Sequence, residues 1–224
     1  MNSRLALREL AVARDAEASE TVELGVVWTS LCCGTSRFVD VFATSERHLA
    51  LLQEPAGVSV PIPSRKLALL ESVLLGKAPK VVAMERQRSL SSITGATQDC
   101  LRAMGLMGGA AQASVFLTMA ARAWHRPESS PRIATASTLW VEDERFEVVS
   151  VSRPDLRLPA TLSLAEATVL RSLLAGESYA QISSARETSQ RTVANQLAAA
   201  FRKLGVSGRR ATIERLIQRS ASLA

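Results

Sequence analysis

Displaced by 100 residues against itself, without a gap, the 224-residue chain repeats its own punctuation. Leu70, Ser72, Leu74 and Gly76 fall on Leu170, Ser172, Leu174 and Gly176, and Arg86 and Ser89 fall on Arg186 and Ser189. Arg102, Gly105, Gly108 and Ala111 then fall on Arg202, Gly205, Gly208 and Ala211. Apolar classes keep the same register: Leu69/Val169, Val82/Ile182, Ile93/Val193, Leu101/Phe201 and Met104/Leu204. Chance supplies a few such identities, but it does not usually preserve glycines together with the apolar register between them. Whatever one half builds, the other half is expected to build as well.

The repeat extends upstream. Residues Arg37–Ala43 and Arg47–Leu52 read as two strands around a turn at Thr44, Ser45 and Glu46. Residues Thr138–Val141 and Arg145–Val151 read the same way around Glu142, Asp143 and Glu144. The expected fold is mainly α with a small β component. It comprises two tandem units, each a β-hairpin followed by a bundle of four short helices, after an N-terminal helical segment. The boundaries fall at 1–34, 35–125 and 136–224, with Arg126–Pro131 as the linker and Gly34 as a helix stop. The two hairpins are expected to join in one small sheet, giving an approximate internal twofold.

In the second unit, Ser163 followed by Glu166 forms a capping-box start to a helix carrying Val169, Leu170, Leu173 and Leu174, and Gly176 ends it. Ser178 with Gln181 opens a short helix that carries Ile182. Ser189 can cap a third helix. On that helix Val193, Leu197, Ala200 and Leu204 share one face beside Phe201, whereas Arg191, Asn195, Ala198 and Arg202 share the opposite face. Gly205 closes it, and Ser207–Leu216 supplies a fourth helix. These elements in this order describe a helix-turn-helix, whose second helix enters a major groove by its N-terminal part.

The residues Leu162-Ser-Leu-Ala-Glu166, Val169-Leu170, Leu174-Ala-Gly176, Ser178, Ile182, Ser189-x-x-Thr192-Val193, Lys203-Leu-Gly-Val206 and Arg209 resemble the LuxR-type (GerE-type) DNA-binding domain of bacterial transcription regulators. The resemblance makes Ser189–Lys203 the recognition helix. It implies DNA contact from Ser189, Gln190, Arg191, Thr192, Gln196, Arg202, Lys203 and Arg209, with Thr192 and Lys203 toward phosphate. Positions 194, 195 and 198, where the family reads base edges, hold Ala194, Asn195 and Ala198. Asparagine can bond adenine in two places, and alanine can only touch a thymine methyl. The chain departs from the family pattern at Gln181 (usually glutamate), Ser183 (alanine), Gln196 (often histidine) and Arg186 (a core leucine). The first unit is a degenerate copy, spanning residues 61–124. Gly95 in its third helix costs roughly 1 kcal/mol relative to alanine, and Asp99 puts negative charge near the expected phosphate path. Interaction or dimerisation is its expected role, with Lys77, Lys80, Arg86 and Arg88 as auxiliary phosphate contacts.

Charge supports a nucleic-acid partner. The net +6 divides into −3 over residues 1–60, +5 over 61–124, −2 over 125–152 and +6 over 153–224, and basic segments neutralise phosphate. Apolar runs are too short to span a bilayer, no secretory leader is visible, and the three cysteines (Cys32, Cys33, Cys100) form neither a disulfide framework nor a zinc spacing. A cytoplasmic location is expected. No catalytic constellation is found. His48 and His125 lack ligand partners at useful spacing, and Gly105–Gly109 fits no nucleotide-binding fingerprint. The expectation is therefore a transcriptional regulator that is not an enzyme and needs no cofactor or metal. Double-stranded DNA is its partner, a homodimer pairs half-sites, and a protein partner through residues 1–125 is a further option. The alternative is an adaptor or anti-activator that keeps the fold without binding DNA.

Overall fold

The computed structural model describes residues 3–107, 111–126, 133–152 and 158–221. The chain opens with α1 (Ser3–Ala16), β1 (Glu20–Glu23) and α2 (Leu24–Cys33), and Gly34 ends α2 in the left-handed region. A hairpin of β2 (Arg37–Ala43) and β3 (Arg47–Gln53) leads to α3 (Ser64–Leu74), α4 (Pro79–Glu85), α5 (Leu90–Ala103) and α6 (Ser114–His125). A second hairpin, β4 (Ile133–Val141) and β5 (Glu144–Ser152), leads to α7 (Leu164–Leu174), α8 (Tyr179–Ala185), α9 (Gln190–Leu204) and α10 (Arg209–Ala221). Helices α3, α4 and α5 begin 100 residues before α7, α8 and α9. The turns after α4 and α8 each hold a non-glycine residue at φ +50°, Gln87 in one and Glu187 in the other.

All five strands form one antiparallel sheet in the order β1-β4-β5-β3-β2. The hairpins meet edge to edge, Arg47 opposite Ser152 and Leu52 opposite Glu147. Both faces of β3 are covered, which explains its unbroken apolar run. Leu49 and Leu51 pack with Ala11, Phe42, Leu139, Phe146 and Val148 beneath α1. Ala50 and Leu52, on the opposite side, join Val149, Val151 and the helices.

Several expectations need correction. Residues 1–34 are not purely helical, because β1 pairs with β4 (Glu20 opposite Ala136, Glu23 opposite Ile133). Four residues are too few to show a strand's alternation. Strand β4 starts at Ile133 rather than Thr138, and the second turn is only Glu142-Asp143, since Val141 already pairs with Glu144. The fourth helix of the second set runs from Arg209 to Ala221. Arg86 is exposed and does not fill a core position, whereas Arg186 is half-buried, with its Nε enclosed and lacking a hydrogen-bond partner. Both follow short helices whose inward positions are already taken by Val82 and Ile182. The linker expectation lies, beyond Arg126, outside the described residues.

Helix α1 is tied to the sheet at both ends. Asp15 takes an ion pair from Arg47 (2.9 Å) and hydrogen bonds from the hydroxyls of Thr135 (2.9 Å) and Ser150. At the other end, Arg4 and Arg8 converge on Asp40, whose side chain is only 1% exposed. Burial opposes ionisation of Asp40, but hydrogen bonds from Arg8 and Arg4 and the Val41 N–H outweigh it and lower its pKa to about 2. A carboxyl whose folded pKa is depressed stabilises the fold above its unfolded pKa, near 3.9. That stability is lost as pH falls from about 4 through about 2. Asp40→Asn is expected to lose about 2 kcal/mol at pH 7 and to flatten the acid limb of the stability profile. Urea unfolding at stepped pH measures both, and equal acid slopes in the two proteins would contradict it.

The two helical sets share one continuous apolar core, with Leu70, Leu74, Phe116 and Met119 of the first in the same cluster as Val169, Leu170, Leu197 and Ile213 of the second. Helices α6 and α10 pack directly. Between them Arg122 donates to Glu214, with side chains 1% and 5% exposed. The junction is reciprocal. A Cβ on Gly76 would lie 3.1 Å from the Glu214 side chain, and one on Gly176 would lie 2.9 Å from that of Gln112.

Candidate nucleic-acid interface

The second helix-turn-helix is set by local caps. Ser163 accepts from the Glu166 N–H while the Glu166 carboxylate accepts from the Ser163 N–H at 2.7 Å. At Ser178 the Gln181 amide oxygen accepts from the backbone N–H at 2.8 Å, so glutamine does the work of the family's glutamate. Glu187 turns the chain, and Ser189 caps α9 by accepting from the Thr192 N–H at 3.0 Å. Val193, Leu197, Ala200 and Leu204 then bury one face of α9.

The opposite face is open. Ser189, Gln190, Arg191, Thr192, Asn195, Ala198, Arg202 and Lys203 are exposed, whereas Ala194 and Gln196 are half-buried. Among the described residues no carboxylate pairs with Arg191 or Arg202. These two charges, Asn195 between them and the positive end of the helix dipole form a surface suited to a polyanion. Two expected contacts are otherwise engaged. Lys203 Nζ lies 2.7 Å from Glu166, and its hydrogen bond, with that of the Ser163 N–H, holds the Glu166 carboxyl below its usual range. Arg209 turns inward and donates to the Glu177 carbonyl at 2.6 Å, with burial lowering its pKa. It fastens the α7–α8 turn to α10.

In the first helical set, Asp99 carries little free charge, because Lys66 (2.7 Å) and Arg102 (3.1 Å) both pair with it. Lys77 is held by Glu85 at 2.8 Å rather than left open to phosphate. Arg65, not singled out in the sequence, joins Lys66, Arg86 and Arg88 around a recess of about 490 Å³. The signal for it was there, since Ser64-Arg-Lys opens one helix and Arg86-Gln-Arg88 closes the next. His125 lies 3.0 Å from Glu71, a contact that no sequence spacing announces. Among the described residues no helix is long and apolar enough to cross a membrane.

A capped helix-turn-helix with an open basic second helix defines a class of DNA-binding domain. The family described as bacterial regulatory proteins, luxR family (GerE), matches residues 160–216, about a quarter of the chain, from just before α7 into α10. These C-terminal helices are thus similar to the LuxR-type domain of a family of bacterial regulatory proteins. No curated protein and no solved structure matches the chain.

Proposed function

We propose that the protein is a DNA-binding transcriptional regulator that places the N-terminal half of α9 in a major groove. The observation that carries this reading is the open face of α9, where Arg191 and Arg202, on either side of Asn195, pair with no carboxylate among the described residues. The arginines bind phosphate and hold the helix in register, and Asn195 reads adenine. Ala194 and Ala198 supply shape and methyl contact. Lys203, through Glu166, stiffens α9 against α7 and reaches DNA only by exchanging that partner. The proposal places the protein in the cytoplasm, where a bacterial regulator of this kind meets DNA. A repeated origin for residues 61–124 is part of the proposal, supported by the coincident starts of three helices and the paired turns at Gln87 and Glu187. The adaptor reading draws support from one observation, the capture of Lys203 by Glu166, and predicts no salt-dependent DNA binding.

Anisotropy titrations at several salt concentrations separate the two. Arg191→Ala and Arg202→Ala are each expected to weaken all duplexes alike and to lower the salt slope by about 1. Asn195→Ala is expected to lose about 1–3 kcal/mol on a selected site and little on random DNA. Unchanged slopes for both arginine variants would remove DNA from this face.

A further inference from the structure

The contacts between the two helical sets come in matched pairs. The α3–α4 turn lies against Glu214 of α10, and the α7–α8 turn lies against Gln112, just ahead of α6. The segment after α9 shares a cleft with Lys77, Ala78 and Pro79, completing that side of the exchange. When element i of one unit meets element j of the other and j meets i in return, the interface is isologous, the kind that a twofold axis generates between two subunits. The sheet agrees, because the hairpins join through equivalent strands, β3 and β5. Helix α9 ends at this junction, where Phe201 lies beside Lys77, Ala78 and Pro79, and the segment between α5 and α6 reaches it through Gln112. A twofold relation between the units would put the N-terminal halves of α5 and α9 at equivalent positions on either side of the junction.

The charge on these flanks is unequal. At the positions where the first unit has Arg65, Lys66, Arg86 and Arg88, the second has Ala165, Glu166, Arg186 and Thr188. The first set sums to +4 and the second to zero (−1 from Glu166, +1 from Arg186). Among the described residues no carboxylate pairs with Arg65, Arg86 or Arg88. Crowding three unpaired guanidinium groups around one recess is unfavourable without an anion, and a guanidinium fork matches phosphate oxygens. The α5 face itself offers Ser91, Gly95, Gln98 and Arg102, with Arg102 already beside Asp99. Unit one is therefore built to hold backbone, and unit two to read bases.

We propose that a single chain is a complete, two-headed DNA binder. Helix α9 occupies the groove of one half-site, while the Arg65–Lys66–Arg86–Arg88 recess clamps phosphates about one helical turn away. The inference rests on the DNA-binding reading and replaces the expected homodimer, since the pairing of half-sites is met inside one polypeptide. The site it selects is asymmetric, with sequence demanded on one side and only duplex on the other.

The test uses the full chain and fluorescent mixed-sequence duplexes of about 30 and about 12 base pairs, long enough for two heads and for one. Light scattering on the protein, free and DNA-bound, gives the stoichiometry, and titrations over salt give the slope. One chain per long duplex is expected, with the short duplex bound at least tenfold more weakly. The triple variant Arg65→Ala/Arg86→Ala/Arg88→Ala should melt like the parent, because all three side chains are exposed. Its salt slope on the long duplex should fall by about 2–3, and it should lose most of the preference for length. Two chains per duplex, or a triple variant with the parent's slope, would overturn the two-headed arrangement while leaving DNA binding by α9 intact. Absence of any DNA binding by the parent would overturn both readings.

Discussion

Arg122→Ala is expected to destabilise the protein by about 3–5 kcal/mol, the range for stripping one partner from a buried ion pair. Arg122 in α6 and Glu214 in α10 are almost wholly enclosed. Without the guanidinium, the Glu214 carboxylate keeps one strong contact, the Gln218 amide at 2.6 Å. Its other oxygen is buried without a hydrogen-bond partner. The loss measures a stranded charge rather than the net worth of the pair, because removing both ions from water already cost several kcal/mol each. Arg122→Met/Glu214→Leu should therefore recover most of the stability. Denaturant unfolding of the two variants decides the matter. If the single variant loses under 1 kcal/mol, the pair does not hold the two helical sets together.

Gly105→Ala should cost about 3 kcal/mol or more, while Gly205→Ala, 100 residues later, should cost only about 1–2 kcal/mol. Both glycines end a helix at positive φ, +93° and +63°, so the backbone penalty is shared. Their surroundings differ. A Cβ on Gly105 would fall 2.4 Å from the Phe38 carbonyl oxygen and 3.0 Å from its nitrogen. The backbone cannot retreat there, because the Phe38 N–H is bonded to the Met104 carbonyl at 2.8 Å. A Cβ on Gly205 would meet nothing within 4 Å. Thermal or urea unfolding ranks the two variants, and equal losses would show that the contact with β2 is not rigid.

What could be read from the sequence was local. The caps at Ser163, Ser178 and Ser189, the stop at Gly34 and the buried face of α9 each depend on residues within two turns of one another. They follow from hydrogen-bond arithmetic and a period of 3.6. What could not be read depends on chain-distant partners. Strand β1 exists because β4 offers it an edge, and four residues carry no period of their own. The engagement of Lys203 is decided by Glu166, 37 residues away, whose capping role was legible although its second bond was not. Arg186, at a position where the family has a core leucine, keeps its Nε buried while the rest of the side chain reaches the surface, and its counterpart Arg86 turns outward altogether. The basic recess combines two helix ends that the sequence lists separately.

The seam between β3 and β5 also sets the order in which the molecule can be made. It joins residues 47–52 to 147–152, and β1 must wait for β4, more than a hundred residues further on. During synthesis β2 and β3 can pair early, and α3–α6 can form behind them. The inner edge of β3 then stays open until the second hairpin arrives. Sheet closure is thus a late event of high contact order, and is expected to be the slow step in folding. An apolar strand with an unfilled edge is also a template for the β5 of another chain, and exchange of hairpins between nascent molecules is the characteristic error of such a design. Proteins synthesised only as far as α6 should aggregate even though their helices are sound, and dilution during refolding should raise the yield of the correctly closed monomer.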